Sequence, residues 1–181
     1  ILDKNYSWSA PAPGSGAYTA INKLQQDFVN TVRATGGNNE YRNLAITTYA
    51  ATGNKNSSNN GDPLAELQLP TDVHPSHIYL TIHSYDPYNF CQNTDAKTAY
   101  YYWVGHAPKR ATKFSTRQDE QSIKDNFASL NTAFVDKGYP VILGEYGAVR
   151  RTLSVSEGTQ ANHDESRQYW YRLITAEAMQ D

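Results

Sequence analysis

Cysteine occurs once in the 181 residues, so no internal disulfide can staple this chain, and Cys91 alone says nothing about redox compartment. No apolar run approaches the roughly 18 residues of a membrane-spanning helix. A basic surplus is missing too: 16 Lys and Arg against 18 Asp and Glu leave a formal net charge of −2. That balance carries no electrostatic footprint for nucleic acid and no polybasic patch for a membrane. There is no internal repeat beyond an α-β alternation, no low-complexity tract and no linker dividing two domains. Metal-ligand patterns are lacking as well. His74 and His77 are followed by no further Cys or His cluster, and His106 and His163 stand alone, whereas a site needs three or four donors. No metal and no other cofactor is expected. Aromatic residues, in contrast, are plentiful, with 14 Tyr and 3 Trp. Such rings either fill a core or stack on sugar rings, and composition does not choose between the two.

The most informative stretch runs from Lys137 to Ala148. Gly138 is a helix stop and Pro140 bars continuation. Val141, Ile142 and Leu143 then form a short apolar run of the kind found in a parallel strand covered on both faces. Side chains alternate along a strand, so Val141, Leu143 and Glu145 are expected on one face, a barrel interior that turns polar at its top. Catalytic groups sit at the carboxyl ends of parallel barrel strands. A strand-end Glu in a structural ion pair is the competing reading.

The rest of the chain alternates in the same way. Residues 1–16 read as a loop rich in turn formers. Tyr18 to Arg33 is an amphipathic helix with Ile21, Leu24, Phe28 and Val32 as its apolar stripe, ended by Thr35-Gly36-Gly37. Asn43 to Tyr49 is a strand, and Ala50 to Asp62 a polar loop at its carboxyl end. A short helical turn follows around Leu64 to Leu69. His77 to Tyr85 is a strand whose Ile78, Leu80 and Ile82 face outer helices, while Tyr79, Thr81, His83 and Tyr85 point into the upper barrel. Tyr88 to Trp103 is a long aromatic loop walling a cleft. Trp103 has two readings there, an exposed ring lining that cleft or burial beneath the next helix. Thr116 and Asp119 resemble a capping box, opening a helix with Ile123, Phe127, Leu130 and Phe134 as core. Arg150 and Arg151 read as a solvated pair with possible substrate contact. From about Asp164 the chain is helical, with Tyr169, Leu173 and Ala176 on one face.

Two stretches carry a resemblance. PVILGEYGA, Pro140 to Ala148, is similar to the nucleophile strand of glycoside hydrolase family five, the cellulase-type (β/α)8 barrels. IYLTIHSYDPYNF, Ile78 to Phe90, resembles the preceding strand, which ends in His-x-Tyr. The link VRATGGNN resembles the passage from the fourth helix into the fifth strand, and the likeness keeps the family's order through most of the chain. It implies a partial TIM barrel, about strands five to seven with flanking helices, as one segment spanning residues 1–181.

By that resemblance Glu145 is the nucleophile of a retaining endo-β-1,4-glucanase, with a β-glucan as substrate. A β-mannanase, a xyloglucanase or a non-catalytic sugar-binding fragment remain open. His83 and Tyr85 are the expected supporting pair: a phenol can hydrogen-bond the nucleophile, and an imidazole can tune the acid/base. Tyr88, Trp103 and Tyr146 are the expected substrate contacts. The family's acid/base Glu lies in an Asn-Glu-Pro motif that this sequence does not contain. Glu40 and Glu66 sit in the wrong places to replace it, and Asp86 is the first substitute to test. The chain, beginning at Ile1, is expected to be cut from something longer and to belong to a secreted enzyme. Its sheet edges are expected to be covered by the remaining barrel fragment or by a second copy.

Overall fold

A computed structural model describes residues 8–54 and 61–180. The expected loop positions Asn5, Ser7, Asn56, Asn59 and Asn60 lie outside the described residues. The helices are α1 (Gly16–Ala34), α2 (Pro63–Glu66), α3 (Tyr88–Cys91), α4 (Arg117–Ala133) and α5 (Gln160–Ala178), and the strands β1 (Leu44–Thr52), β2 (Ile78–Ser84) and β3 (Val141–Tyr146). Three parallel strands form one open sheet in the order β1-β2-β3. The chain divides into two compact units, Ile1–His83 with Ala128–Gly144, and Ser84–Phe127 with Glu145–Asp181.

The first unit contains most of the sheet. Leu44 and Ile46 on β1 and Ile78, Leu80 and Ile82 on β2 are all buried, the apolar face that alternation predicts. Leu44 pairs with Ile78, Ile46 with Leu80 and Thr47 with Thr81. Leu130 of α4 reaches the same layer: a β-carbon at Gly53 would stand 2.9 Å from Ile82 Cδ1 and 3.2 Å from Leu130 Cδ1, so only glycine fits there without repacking. The opposite face, with Ala45, Thr47, Tyr79, Thr81 and His83, is less covered.

That second face corrects the reading of β3. A β-carbon at Gly144 would lie 2.6 Å from Thr81 Oγ1 and 3.8 Å from His83 Cδ2. Gly144 therefore shares the open face, and by alternation so does Ile142, which is 48% exposed. Val141 and Leu143 fall on the opposite face and are better covered. They do not line the open face as expected.

Helix α1 also turns differently from its predicted stripe. It buries Tyr18, Ile21, Gln25 and Val29, leaving Leu24 and Phe28 exposed. The cause is polar: Gln25 Oε1 accepts the Thr47 N–H at 2.6 Å, so this helix face is drawn to the edge of β1. Beyond Tyr49 the strand continues through a bulge, for Thr47 pairs with Thr81 and Thr52 with His83, five residues advancing against two. Ala50 and Ala51 absorb the excess at φ 57° and 52°, and Thr48 Oγ1 spans it with a 2.6 Å bond to the Thr52 carbonyl.

In the second unit Trp103, Trp170, Tyr102, Phe90, Ile123, Ile174 and His163 are fully buried. Thr116 and Asp119 form the expected cap: the Asp119 N–H donates to Thr116 Oγ1 at 3.1 Å and the Thr116 N–H to Asp119 Oδ2 at 2.6 Å. Helix α5 starts at Gln160 rather than Asp164, and it buries His163, Ser166, Trp170, Leu173 and Ile174. Tyr169 is only half-buried and Ala176 is exposed. The predicted face was rotated because Trp170 and His163, both with polar partners, are the residues that go inside.

Candidate active site

Glu145 is the penultimate residue of β3, and Tyr85 directly follows β2. The Tyr85 phenol donates to Glu145 Oε2 at 3.1 Å. Burial first, then the hydrogen bond and charge of Glu145, push the Tyr85 phenol above its ordinary pKa. The Tyr85 phenol is thus held as a neutral donor at neutral pH, and its bond orients Oε2 of Glu145. A β-carbon at Gly147 would be 3.7 Å from Tyr85 Cε1 and 3.8 Å from Tyr171 Oη. The backbone just after Glu145 is therefore flanked by two phenols.

His83 lies on the open face of β2 in the first unit, half-buried and paired in register with Thr52. Tyr88 is 60% exposed and Tyr146 42% exposed, so both keep ring surface for a ligand. Trp103 does not. It is 0% exposed, packed edge-on against Phe90 at 5.3 Å, and its Nε1–H donates to Glu120 Oε2 at 3.2 Å. A ring with no open face cannot stack on a sugar, so Trp103 is a core residue of this unit. Burial raises the Glu120 carboxyl, but bonds from Lys124, Trp103 and Tyr169 outweigh it and hold the group below the usual carboxylate range.

The arginine pair also separates. Arg150 meets Asp164 at 3.5 Å near the surface. Arg151 is half-buried instead, donating from Nη2 to the Asn93 carbonyl at 2.6 Å, and so ties two loops together. Cys91 is buried, its thiol near the Asp86 carbonyl at 3.4 Å, and burial pushes that thiol up. Glu40 pairs with His74 at 3.6 Å, and Glu66 accepts the Gly14 N–H at 2.9 Å. Both carboxylates are engaged in the first unit. Among the described residues, no three His, Cys, Asp or Glu side chains converge as a metal site would require.

Three residues that pattern reading missed reach the strand exits. Arg167 and Tyr171 contact the backbone of Ala148, and Trp170 contacts that of Asp86. Their positions along α5, separated by three and four, were the available signal.

A Glu near the end of one parallel strand is thus bonded by a Tyr just past the end of its neighbour, the end at which barrel enzymes place reacting groups. The family model described as cellulase (glycosyl hydrolase family 5) matches residues 2–181, and the chain belongs to that family. Endoglucanase A of Ruminococcus albus is 34% identical over 150 residues, which are 83% of this chain and 33% of the relative. The xyloglucan-specific endo-β-1,4-glucanase of Bacteroides ovatus is 33% identical over 162 residues, 90% of this chain and 30% of the relative. The chain spans about a third of the length of these curated relatives. A solved B. ovatus family 5 xyloglucanase with a XXXG heptasaccharide superposes with a TM-score of 0.75 at 30% identity, over 91% of this chain and 33% of that one. A broad specificity endoglucanase from Ruminococcus champanellensis with bound cellotriose gives 0.68 at 32% identity, over 98% and 42%. The three-stranded sheet accordingly matches part of the family's TIM barrel.

Proposed function

We propose that the chain supplies the nucleophile half of a retaining endo-β-1,4-glucanase site. The observation that carries this reading is the 3.1 Å bond from Tyr85 to Glu145 at the carboxyl ends of neighbouring strands. The Glu145 carboxylate attacks the anomeric carbon, a new carbon–oxygen bond forms, and the glycosidic bond breaks with its electron pair leaving on oxygen. A second carboxyl group, about 5–5.5 Å away, protonates that oxygen and then takes a proton from the water that releases the sugar. Tyr85 orients the nucleophile, Tyr88 and Tyr146 offer their exposed rings to the glucan, and His83 is the residue that the family resemblance alone assigns to tuning the acid/base. The acid/base comes from the remaining strands of the barrel rather than from Glu40 or Glu66, whose carboxylates are occupied elsewhere.

A mechanism-based fluoro-glycoside, applied to the active enzyme that contains this chain, should label Glu145. Glu145→Gln should lower kcat by more than about 10³-fold, because glutamine keeps the shape and cannot act as an anionic nucleophile. Labelling of another residue, or full activity in the variant, would remove the assignment. A xyloglucan main chain is the second reading, favoured by the xyloglucanases among both the curated and the solved relatives. A panel of cellulose, xyloglucan and mannan separates the two.

A further inference from the structure

We propose that α5 clamps the exits of β2 and β3 and so holds Tyr85 and Glu145 at bonding distance, with Arg167 and Tyr171 as positioning residues. The inference rests on the nucleophile reading of Glu145. Three contacts carry it, all within the second unit. Arg167 Nε–H donates to the Ala148 carbonyl at 3.0 Å. The Ala148 N–H donates to Tyr171 Oη at 3.3 Å. Trp170 Nε1–H donates to the Asp86 carbonyl at 2.8 Å. Arg167 and Tyr171 are one helical turn apart and Trp170 lies between them, so a single stretch of α5 grips both exits.

The grip is close to the reacting group on either side. Ala148 follows Glu145 by three residues, and Asp86 follows Tyr85 directly. β3 ends at Tyr146, so the ladder no longer serves the buried Ala148, and the two α5 side chains satisfy both its N–H and its C=O. Ring contacts stiffen the arrangement: Tyr171 packs edge-on against Tyr146 at 6.0 Å and Trp170 at 5.1 Å, with the Arg167 guanidinium 5.8 Å from its centroid. The Gly147 backbone sits between Tyr85 and Tyr171. A shift of the Ala148 backbone is transmitted to Glu145 through two residues, and misplacement by about 1 Å at a reacting group can cost about 10²-fold in rate.

Satisfying a buried peptide would by itself explain two of these bonds, so the test must detect coupling to the Tyr85–Glu145 pair. Tyr171→Phe deletes the oxygen and keeps the ring contacts; Arg167→Met keeps the stem and deletes the guanidinium. In the active enzyme each should lower kcat about 3–10-fold with KM unchanged, the worth of one hydrogen bond. In a Tyr85→Phe background the same substitutions should cost less than about 2-fold, because the bond they align is gone. Equal losses in both backgrounds, or unchanged kcat in both single variants, would overturn the clamp. Should Tyr171→Phe fail to fold, the Arg167→Met cycle decides alone. If Glu145→Gln and Tyr85→Phe retain activity, the nucleophile reading has failed and the clamp falls with it. If they lose activity while the cycles stay additive, only the clamp is wrong.

Discussion

At the scale of single residues, His163 shows how a buried polar group can be fixed in one protonation state. Its Nδ1 lies 2.7 Å from the Tyr101 carbonyl, and its Nε2 accepts the Arg151 N–H at 2.9 Å. A carbonyl on one side and an N–H on the other specify the neutral ring with its proton on Nδ1. Burial, the largest influence, holds its pKa below the usual histidine value, against the Tyr101 carbonyl, which favours the charged form. The sign of the linkage follows. In the interval beneath the ordinary pKa of about 6.5, the unfolded chain binds a proton that the folded chain refuses. Stability is fully present above that interval and falls as pH drops through it. Urea unfolding followed by fluorescence of the buried Trp103 and Trp170 should show a midpoint falling from about pH 7.5 to about pH 5. His163→Gln should flatten that slope, and an unchanged slope would contradict the linkage. The meeting of Tyr85 with Glu145 was legible from the two motifs, whereas strand alternation misplaced Val141 and Leu143, with which it had grouped Glu145. The burial of Trp103 was legible only as the rival reading, because its decisive partner, Glu120, lies on the next helix and no local pattern chooses between the two.

Among the elements, the loop from Leu153 to Thr159 is the most tightly specified. Ser154 and Glu157 cap each other, the Ser154 N–H donating to Glu157 Oε2 at 3.1 Å and the hydroxyl at 2.8 Å. Those bonds, joined by one from Tyr101, lower the Glu157 carboxyl to about 2. Gly158 at φ 123° then lets the chain wrap the Tyr102 phenol, which donates to the Glu157 carbonyl at 2.9 Å and accepts the Thr159 N–H at 3.1 Å. A β-carbon at Gly158 would overlap that phenol oxygen and stand 2.9 Å from Tyr102 Cζ. Gly158→Ala should therefore destabilise by about 2–5 kcal/mol through combined backbone strain and overpacking, read as a lower denaturation midpoint. A loss under about 1 kcal/mol would mean the loop moves aside freely. The helices and strands themselves were readable because each combines a period with a punctuation mark, as in Gly138, left-handed at φ 85° after the last turn. The β1 bulge and the rotated faces of α1 and α5 were not, because each depends on a polar contact made far away in sequence: Gln25 with Thr47, His163 with Tyr101, Trp170 with Asp86.

For the whole molecule, the sheet sets the final expectation. In the order β1-β2-β3, the outer strands each keep an edge, though Gln25 blunts that of β1 at Thr47. Tyr79, Thr81, Ile142 and Gly144 share a face that a closed barrel would fill with side chains from other strands. Ile142 stays 48% exposed there, and Leu24 and Phe28 of α1 are 49% and 44% exposed. Fully burying one such side chain is worth about 1.5–3 kcal/mol, so each now forgoes roughly half of that. Against a native stability of about 5–15 kcal/mol, a few such deficits and an open parallel edge are decisive. The isolated 181-residue chain should accordingly not persist as an active monomer. It should associate, with the remaining strands of a family 5 barrel or with a second copy, and hydrolysis should appear only in the assembly that contributes the second carboxyl group. Sedimentation velocity across a concentration series, paired with a cellulose-hydrolysis assay on the same fractions, checks both halves. A folded monomer that cleaves the polymer would refute the expectation and move the acid/base role to a carboxylate of this chain, with Asp86→Asn the first variant to make.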